Sequence, residues 1–292
     1  MRRMTLVLLG ALLATPALAA PREARVPGGI AVLELPATVP AGATATFAGK
    51  PVFIERDGDG RRRLVVGIPL TQAPGEARVE LVDGNGPAPL PALAFSVVAK
   101  AYPEQHITLP TGDKHVHPGP EELARYEREA KEQQAVYRRF EGGAAPWPRF
   151  RQPTAGAPNP SFGRKRFFNG EERQPHLGMD IAAPEGQAVV APADGVVVQT
   201  GDYFFNGRTV MIDHGQGLVS MLCHLSEISV AAGTRVAAGD RIGRVGRTGR
   251  ATGPHLHWTV SLNDARIDPL LVLPDAALPP VPGAGPDAAR PR

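Results

Sequence analysis

The chain has 292 residues, with 32 Lys and Arg against 29 Asp and Glu, a formal charge of +3, and one cysteine. Arg2 and Arg3 belong to a leader-like segment; without them 30 basic residues face 29 acidic ones, which removes net charge as an argument for nucleic-acid binding. One cysteine excludes an internal disulfide, so about 270 residues, enough for about two domains, must be held by apolar cores or by a metal.

Arg2 and Arg3 precede an apolar run from Thr5 to Leu13 and the small-residue stretch Ala17-Leu18-Ala19. Charged, apolar and small segments in that order predict a secretory signal peptide over residues 1–19, with an apolar run too short to remain as a bilayer anchor. No cysteine stands near the cleavage region to carry a lipid, and no second apolar run is long enough for a span.

Residues 26–100 read as short strands: Ile30–Leu35, Thr44–Phe47, Val52–Glu55, Leu64–Ile68, Ala77–Val82 and Leu93–Val98. Turn signals separate them, among them Asp57-Gly58-Asp59-Gly60 and Asp83-Gly84-Asn85-Gly86. That spacing predicts a β-sandwich. It holds no catalytic cluster, which makes it a structural or binding module. From 118 to 142 the pattern becomes a charged helix, with Pro118 and Pro120 at its start and Gly142-Gly143 after its end, and a linking role is expected. His115-Val116-His117 precedes it, but with no third ligand nearby the pair is not expected to bind metal. Residues 143–175 are rich in Pro, Gly and Arg, with Phe150, Phe162, Phe167 and Phe168 interspersed, and predict a loop that flanks a groove.

His176-Leu177-Gly178-Met179-Asp180 supplies an imidazole and a carboxylate. Gly178 and Pro184 argue against a helix, so the two must converge through an extended or bent segment. Glycine-punctuated β segments follow, at 188–191, 195–199, 209–213, 218–222 and 242–245, which predicts a compact antiparallel β domain over 176–273. Near its end Thr248-Gly249-Arg250-Ala251-Thr252-Gly253-Pro254-His255-Leu256-His257 places two imidazoles two residues apart before a strand, on one face of it. A zinc hydrolase needs three protein ligands and one open position, where water is acidified to a pKa near ~7. His176, Asp180 and His257 can supply the three. His224 and His255 remain to move protons and stabilise a developing oxyanion.

His176-x-x-x-Asp180, the Asp213-His214-Gly215-x-Gly217 turn, His224-Leu225 and the segment ending in His255-Leu256-His257 together resemble the lysostaphin/LytM-type zinc endopeptidases of peptidoglycan. The resemblance runs from about Phe162 to Leu273, and the strand-rich N-terminal half resembles the Ig-like segment that precedes this domain in exported bacterial members. It implies zinc (Zn2+) on His176, Asp180 and His257, catalytic roles for His224 and His255, peptidoglycan peptide stems as partners, and a periplasmic location. A D-Ala to diaminopimelate cross-link is the implied substrate bond, glycine bridges being the other. Asn169 and Asn206 are placed beside the groove without a role.

Cys223 departs from the residue that relatives carry before this histidine and raises a Cys-His nucleophile pair as an alternative. Strand alternation should turn Cys223 away from His224, so a buried thiol is expected. His214 is expected to be structural, and Arg247 and Arg250 are candidates for substrate carboxylates. Neither Gly-x-Ser-x-Gly nor His-Glu-x-x-His occurs. The tail from 274 to 292 is Pro/Ala-rich and is expected to be disordered. Two rival functions remain open: an adaptor with this fold that activates another wall hydrolase, and a protein whose N-terminal module does the binding. A regulatory protein partner, and inhibition of the groove by residues 143–174, are also open.

Overall fold

The computed structural model describes residues 20–84, 89–108 and 117–274. The predicted signal segment, His115 and the tail beyond 274 lie outside these residues.

The N-terminal strands are β1 (Ile30–Glu34), β2 (Thr44–Phe47), β3 (Lys50–Pro51), β4 (Phe53–Arg56), β5 (Arg62–Gly67), β6 (Gly75–Val82) and β7 (Pro89–Val97). They form two antiparallel sheets, ordered β1-β5-β4 and β3-β2-β6-β7, which close over a shared core that includes Phe47, Leu64, Val66, Val79 and Phe95. In β6, buried Ala77, Val79 and Leu81 alternate with exposed Arg78, Glu80 and Val82, as a sheet with one wet face requires. β5 instead buries Leu64, Val65, Val66 and Gly67 in succession. Leu64 and Val66 face the sandwich core, whereas Val65, with Ile30 and Phe53, enters the core of the C-terminal half.

The two halves are therefore packed on each other. Two amides also fasten them. Asn263 accepts from Gly67 N at 2.6 Å and donates to its carbonyl at 3.0 Å, and Gln216 makes the same paired contact with Ile54 at 3.0 and 3.3 Å.

Next come β8 (Glu104–Ile107), α1 (Pro120–Tyr137), β9 (Pro158–Asn159), β10 (Lys165–Phe168), β11 (Glu171–Arg173), β12 (Met179–Ala182), β13 (Ala188–Val190) and β14 (Gly195–Tyr203). The chain continues through β15 (Gly207–Asp213), β16 (Leu218–Leu225), β17 (Glu227–Ile228), β18 (Arg235–Val236), β19 (Arg241–Arg244), β20 (His255–Leu262) and β21 (Ala265–Ile267). The main sheet runs β18-β14-β15-β16-β20-β12-β9, with β21 on β20, and β13-β19-β17 form a smaller sheet. All of β16 is buried, because the main core packs one face of the sheet while Val136 and Tyr137 of α1 cover the other against Met211, Val219, Met221 and Cys223.

The mainly β reading holds, with two corrections. The helix spans 120–137 rather than 118–142, and it forms a layer on the main sheet rather than a simple connector. It stops short because Arg138 closes it and Arg139 turns to pair with Asp213 and Glu141. The 143–175 segment is more than a loop. Trp147 and Phe150 enter the main core, β9 joins the main sheet beside β12, and β10 pairs with β11 and, in parallel, with β8. No hydrophobic alternation marks β8 in the sequence; its partner in β10 creates it.

Candidate metal centre and active site

The main sheet sets the geometry of the centre. β12 and β20 are antiparallel, with Asp180 directly opposite His257 and Ala182 opposite His255. His176 lies just before β12, held by backbone bonds that pair it with Gly163 and Arg164. His176 Nε2 lies 2.9 Å from His257 Nδ1 and 3.1 Å from Asp180 Oδ1, and His257 Nδ1 lies 2.9 Å from Asp180 Oδ1. These three residues form the one group with metal-ligand potential among the described residues.

Oxygen atoms around the triad fix which nitrogens face inward. His176 Nδ1–H donates to the Ser161 carbonyl at 3.1 Å, and His257 Nε2 lies 2.9 Å from Thr259 Oγ1. Ser161 Oγ accepts from the Asp180 backbone N–H at 3.2 Å, so one serine orients two of the three residues. With the outer nitrogens engaged, the inner ones carry lone pairs. Three acceptors this close repel one another unless a proton or cation sits among them, and their separations approach the ~3.3 Å edge of a tetrahedral shell with ligands near 2.1 Å. The donor set fits a divalent metal.

Burial pushes His176 down to about 4, against the pull of Asp180. Burial by itself would raise Asp180, but hydrogen bonds from His176 and His257 outweigh it and hold the carboxyl below the usual range. Both trends leave a neutral imidazole and an ionised carboxylate, the forms that bind metal.

His224 reaches the centre by a different device. Opposite Thr209 the register between β15 and β16 slips, so that Cys223 and His224 together face one residue, and His224 takes a φ of 62°. The bulge turns the imidazole toward His255, with ring centroids 4.8 Å apart. Nδ1–H of His224 donates to the Thr248 carbonyl and Nδ1–H of His255 to the Gly253 carbonyl, each at 2.8 Å. Each therefore keeps Nε2 for the cavity, and His255 Nε2 stands 3.8 Å from Asp180 Oδ1. Burial, reinforced by the neighbouring imidazoles, lowers His224 to about 3.

The other candidates separate cleanly. Cys223 is fully buried, its thiol pushed up to about 12 by burial. The reason differs from simple alternation: the register sets Cys223 opposite His257, and the bulge re-aims His224 instead. His214 donates through Nδ1 to the Asp194 carbonyl at 2.7 Å, while Nε2 and the Trp258 indole meet at Ser220 Oγ, at 2.9 and 3.2 Å. This is a structural chain beneath β20. Asn169 occupies the β10–β11 turn with a φ of 50°, followed by Gly170 at 86°, while Asn206 lines a cavity beside α1 and donates to Gln133. Arg250 lies over the rings of Phe168 and Phe205; Arg247 reaches only Glu185, 4.0 Å away at the surface. His117 lies near Glu171, and not at the centre.

The sequence reading missed Arg166. It projects from β10 with Nη2 3.5 Å from Asp180 Oδ2 and, with Phe168, roofs a cavity of about 230 Å³ floored by Asp180, His224, His255 and His257. The pairing of β10 with β8 and β11, and the backbone bonds of Gly163 and Arg164 to His176, bring it there.

The sequence model of peptidase family M23 matches residues 174–269, and that of the peptidase family M23 N-terminal domain matches 23–100. A crystal structure of a candidate M23 peptidase from Pseudomonas aeruginosa is 42% identical, with 86% of this chain and 96% of that one aligned at a TM-score of 0.71. The chain belongs to peptidase family M23. This M23 chain is also 45% identical over 97 residues to the DD-carboxypeptidase/endopeptidase Mpg of Neisseria meningitidis, 33% of this chain and 22% of that protein. It is 48% identical over 84 residues to the peptidoglycan DD-endopeptidase ShyA of Vibrio cholerae, 29% of this chain and 20% of that one. The match thus spans about a fifth of the length of these curated relatives.

Proposed function

We propose that this M23 chain is an exported zinc endopeptidase that hydrolyses peptide cross-links of peptidoglycan, with the D-Ala to diaminopimelate bond as its substrate. The observation that carries the reading is the closure of His176 Nε2, Asp180 Oδ1 and His257 Nδ1 to 2.9–3.1 Å of one another beside two further oriented imidazoles. The DD-endopeptidase activity named for ShyA supports the substrate class. The composition of residues 1–19 supports export to the periplasm.

His176, Asp180 and His257 would hold the zinc, which when bound supplies Lewis acidity toward a carbonyl and toward water. The remaining work falls to the chain itself. His224 and His255 each present Nε2 to the cavity with the opposite nitrogen tied to a carbonyl. In the neutral form either can take the proton of the attacking water at Nε2 and pass it to the departing amine. In the protonated form either can donate to the oxygen that gathers charge as the amide carbon becomes tetrahedral. Thr248 and Gly253, through their carbonyls, keep both rings in the tautomer this needs.

The test is to incubate the full chain with defined cross-linked muropeptides, with and without a chelator, and read the products by mass. The expected products are two stems separated at the D-Ala carbonyl, formed only without chelator. Cleavage that persists after the metal is stripped would refute the mechanism.

A further inference from the structure

Among the described residues Arg166 is the one guanidinium that meets an acid of the centre, and its hydrogen-bonding capacity is largely unspent there. Its side chain is 18% exposed. Its Nε is shut off from solvent and has no hydrogen-bond partner, and the contact to Asp180 is long at 3.5 Å. Gln105, directly opposite it across the parallel β8–β10 pair, lines the same cavity, and its Oε1 also lacks a partner. The accessible end of Arg166 is its Nη2 edge, whose long contact to Asp180 leaves it able to take a better-placed acceptor from a ligand in the cavity. Arg166 also borders the second cavity, of about 510 Å³, which lies between α1 and the sheet and includes His176 and His257 in its lining. It therefore stands where both cavities meet the centre. Arg250 shares both linings and is braced between Phe168 and Phe205.

Charge sharpens the assignment. Among the described residues Asp180 is the sole carboxylate lining the first cavity, against Arg166 and Arg250. A divalent ion on the triad would take up the charge of Asp180, leaving Arg166 with no other counter-ion in that lining. A planar guanidinium suits a carboxylate, which can accept two hydrogen bonds and carries the opposite charge; an amide offers one acceptor and no charge.

We propose that Arg166 is a specificity-determining residue that binds a free carboxylate of the substrate beside the scissile bond, with Gln105 and Arg250 flanking it. The proposal rests on the peptidase reading above and names the feature of the peptide that the site selects. Stem peptides carry such carboxylates at the D-Ala terminus and on the diaminopimelate residue; a glycine bridge lacks one at the bond.

The experiment measures equilibrium binding by calorimetry, using the full chain loaded with zinc and inactivated by His255→Ala. The probes are two synthetic stem dimers identical except that the carboxylate beside the cross-link is free or amidated. The expected result is about 10–100-fold tighter binding of the free carboxylate. Arg166→Gln should abolish that preference, and Arg166→Lys should retain a reduced one. Zinc content and thermal unfolding are followed for each variant, and if Arg166→Gln does not fold, Arg166→Lys and the wild-type preference still decide. Equal binding of both dimers to the Arg166-containing protein overturns the proposal while leaving the peptidase reading intact. So does Arg166→Gln with tighter zinc binding and an unchanged preference, which would make Arg166 only a counter-charge for Asp180. If neither dimer binds, and the active chain cleaves neither, the peptidase reading itself fails.

Discussion

Replacing Gly178 with alanine perturbs the centre without touching a ligand. A Cβ there would lie 2.6 Å from the Trp258 carbonyl oxygen and 2.7 and 2.8 Å from Nε2 and Cε1 of His257. Trp258 is fully buried in β20 and cannot retreat, so the His257 ring must yield by about 0.5 Å or more, and overpacking of this kind costs about 1–3 kcal/mol. The shift also breaks the 2.9 Å contact of His257 Nε2 with Thr259, and loss of such a contact typically lowers metal affinity by about 10–100-fold. At a zinc concentration 100 times the wild-type Kd, binding stabilises the folded chain by about 2.7 kcal/mol; a 100-fold weaker site leaves about 0.4 kcal/mol. The zinc-induced rise in Tm should then fall from about 5–11 °C to about 1–2 °C. Thermal unfolding of the metal-stripped variant, with and without zinc, reads both effects. Wild-type zinc stabilisation in Gly178→Ala would refute the claim that the space left by Gly178 is what lets the His257 ring seat against Thr259.

The centre divides into groups that mutation should separate: Asp180→Ala loses zinc and cleavage together, whereas His224→Ala and His255→Ala lower kcat by about 10²–10⁴-fold with zinc content retained. Cys223→Ala should leave kcat within a few-fold, and native Cys223 should resist alkylation, because its thiol is buried and pushed up to about 12; a large loss of kcat would revive the Cys-His pair. Burial lowers His214 to about 4, whereas the unfolded imidazole titrates near 6.5. Protons thus favour the unfolded chain between these values, and this group's contribution is complete above about pH 6.5 and lost as pH falls toward 4. Urea midpoints at pH 7 and pH 5 should differ by more in the wild type than in His214→Gln. Asn263→Ala leaves the buried N–H and carbonyl of Gly67 unpaired and should cost about 2–3 kcal/mol in denaturant unfolding.

Local pattern made much of this molecule readable from sequence. The alternation in β6, the apolar run in β16 and the His-x-His of β20 all carry periodicities that survive folding. The His-x-x-x-Asp and His-x-His spacings pointed to the three residues that β12 and β20 bring together. What stayed hidden depends on distant pairing. Arg166 meets Asp180 from a β10 that pairs with β8, about sixty residues away, and with β11, and neither β8 nor β10 has a hydrophobic rhythm of its own. His224 stood out as a candidate, but how it reaches the cavity did not: its positive φ comes from a slip against β15 that no local motif announces. The length of α1 was overread because glycines mark where a helix may no longer continue, while Arg139 is drawn off earlier by Asp213.

Stepwise addition of zinc to the metal-stripped full chain, with cleavage of a D-Ala to diaminopimelate cross-linked dimer followed at each step, tests the central claim most directly. The account requires activity to rise linearly and level off at one equivalent, with Asp180→Ala inert throughout. Cleavage by the stripped chain, or full activity in Asp180→Ala, would contradict it.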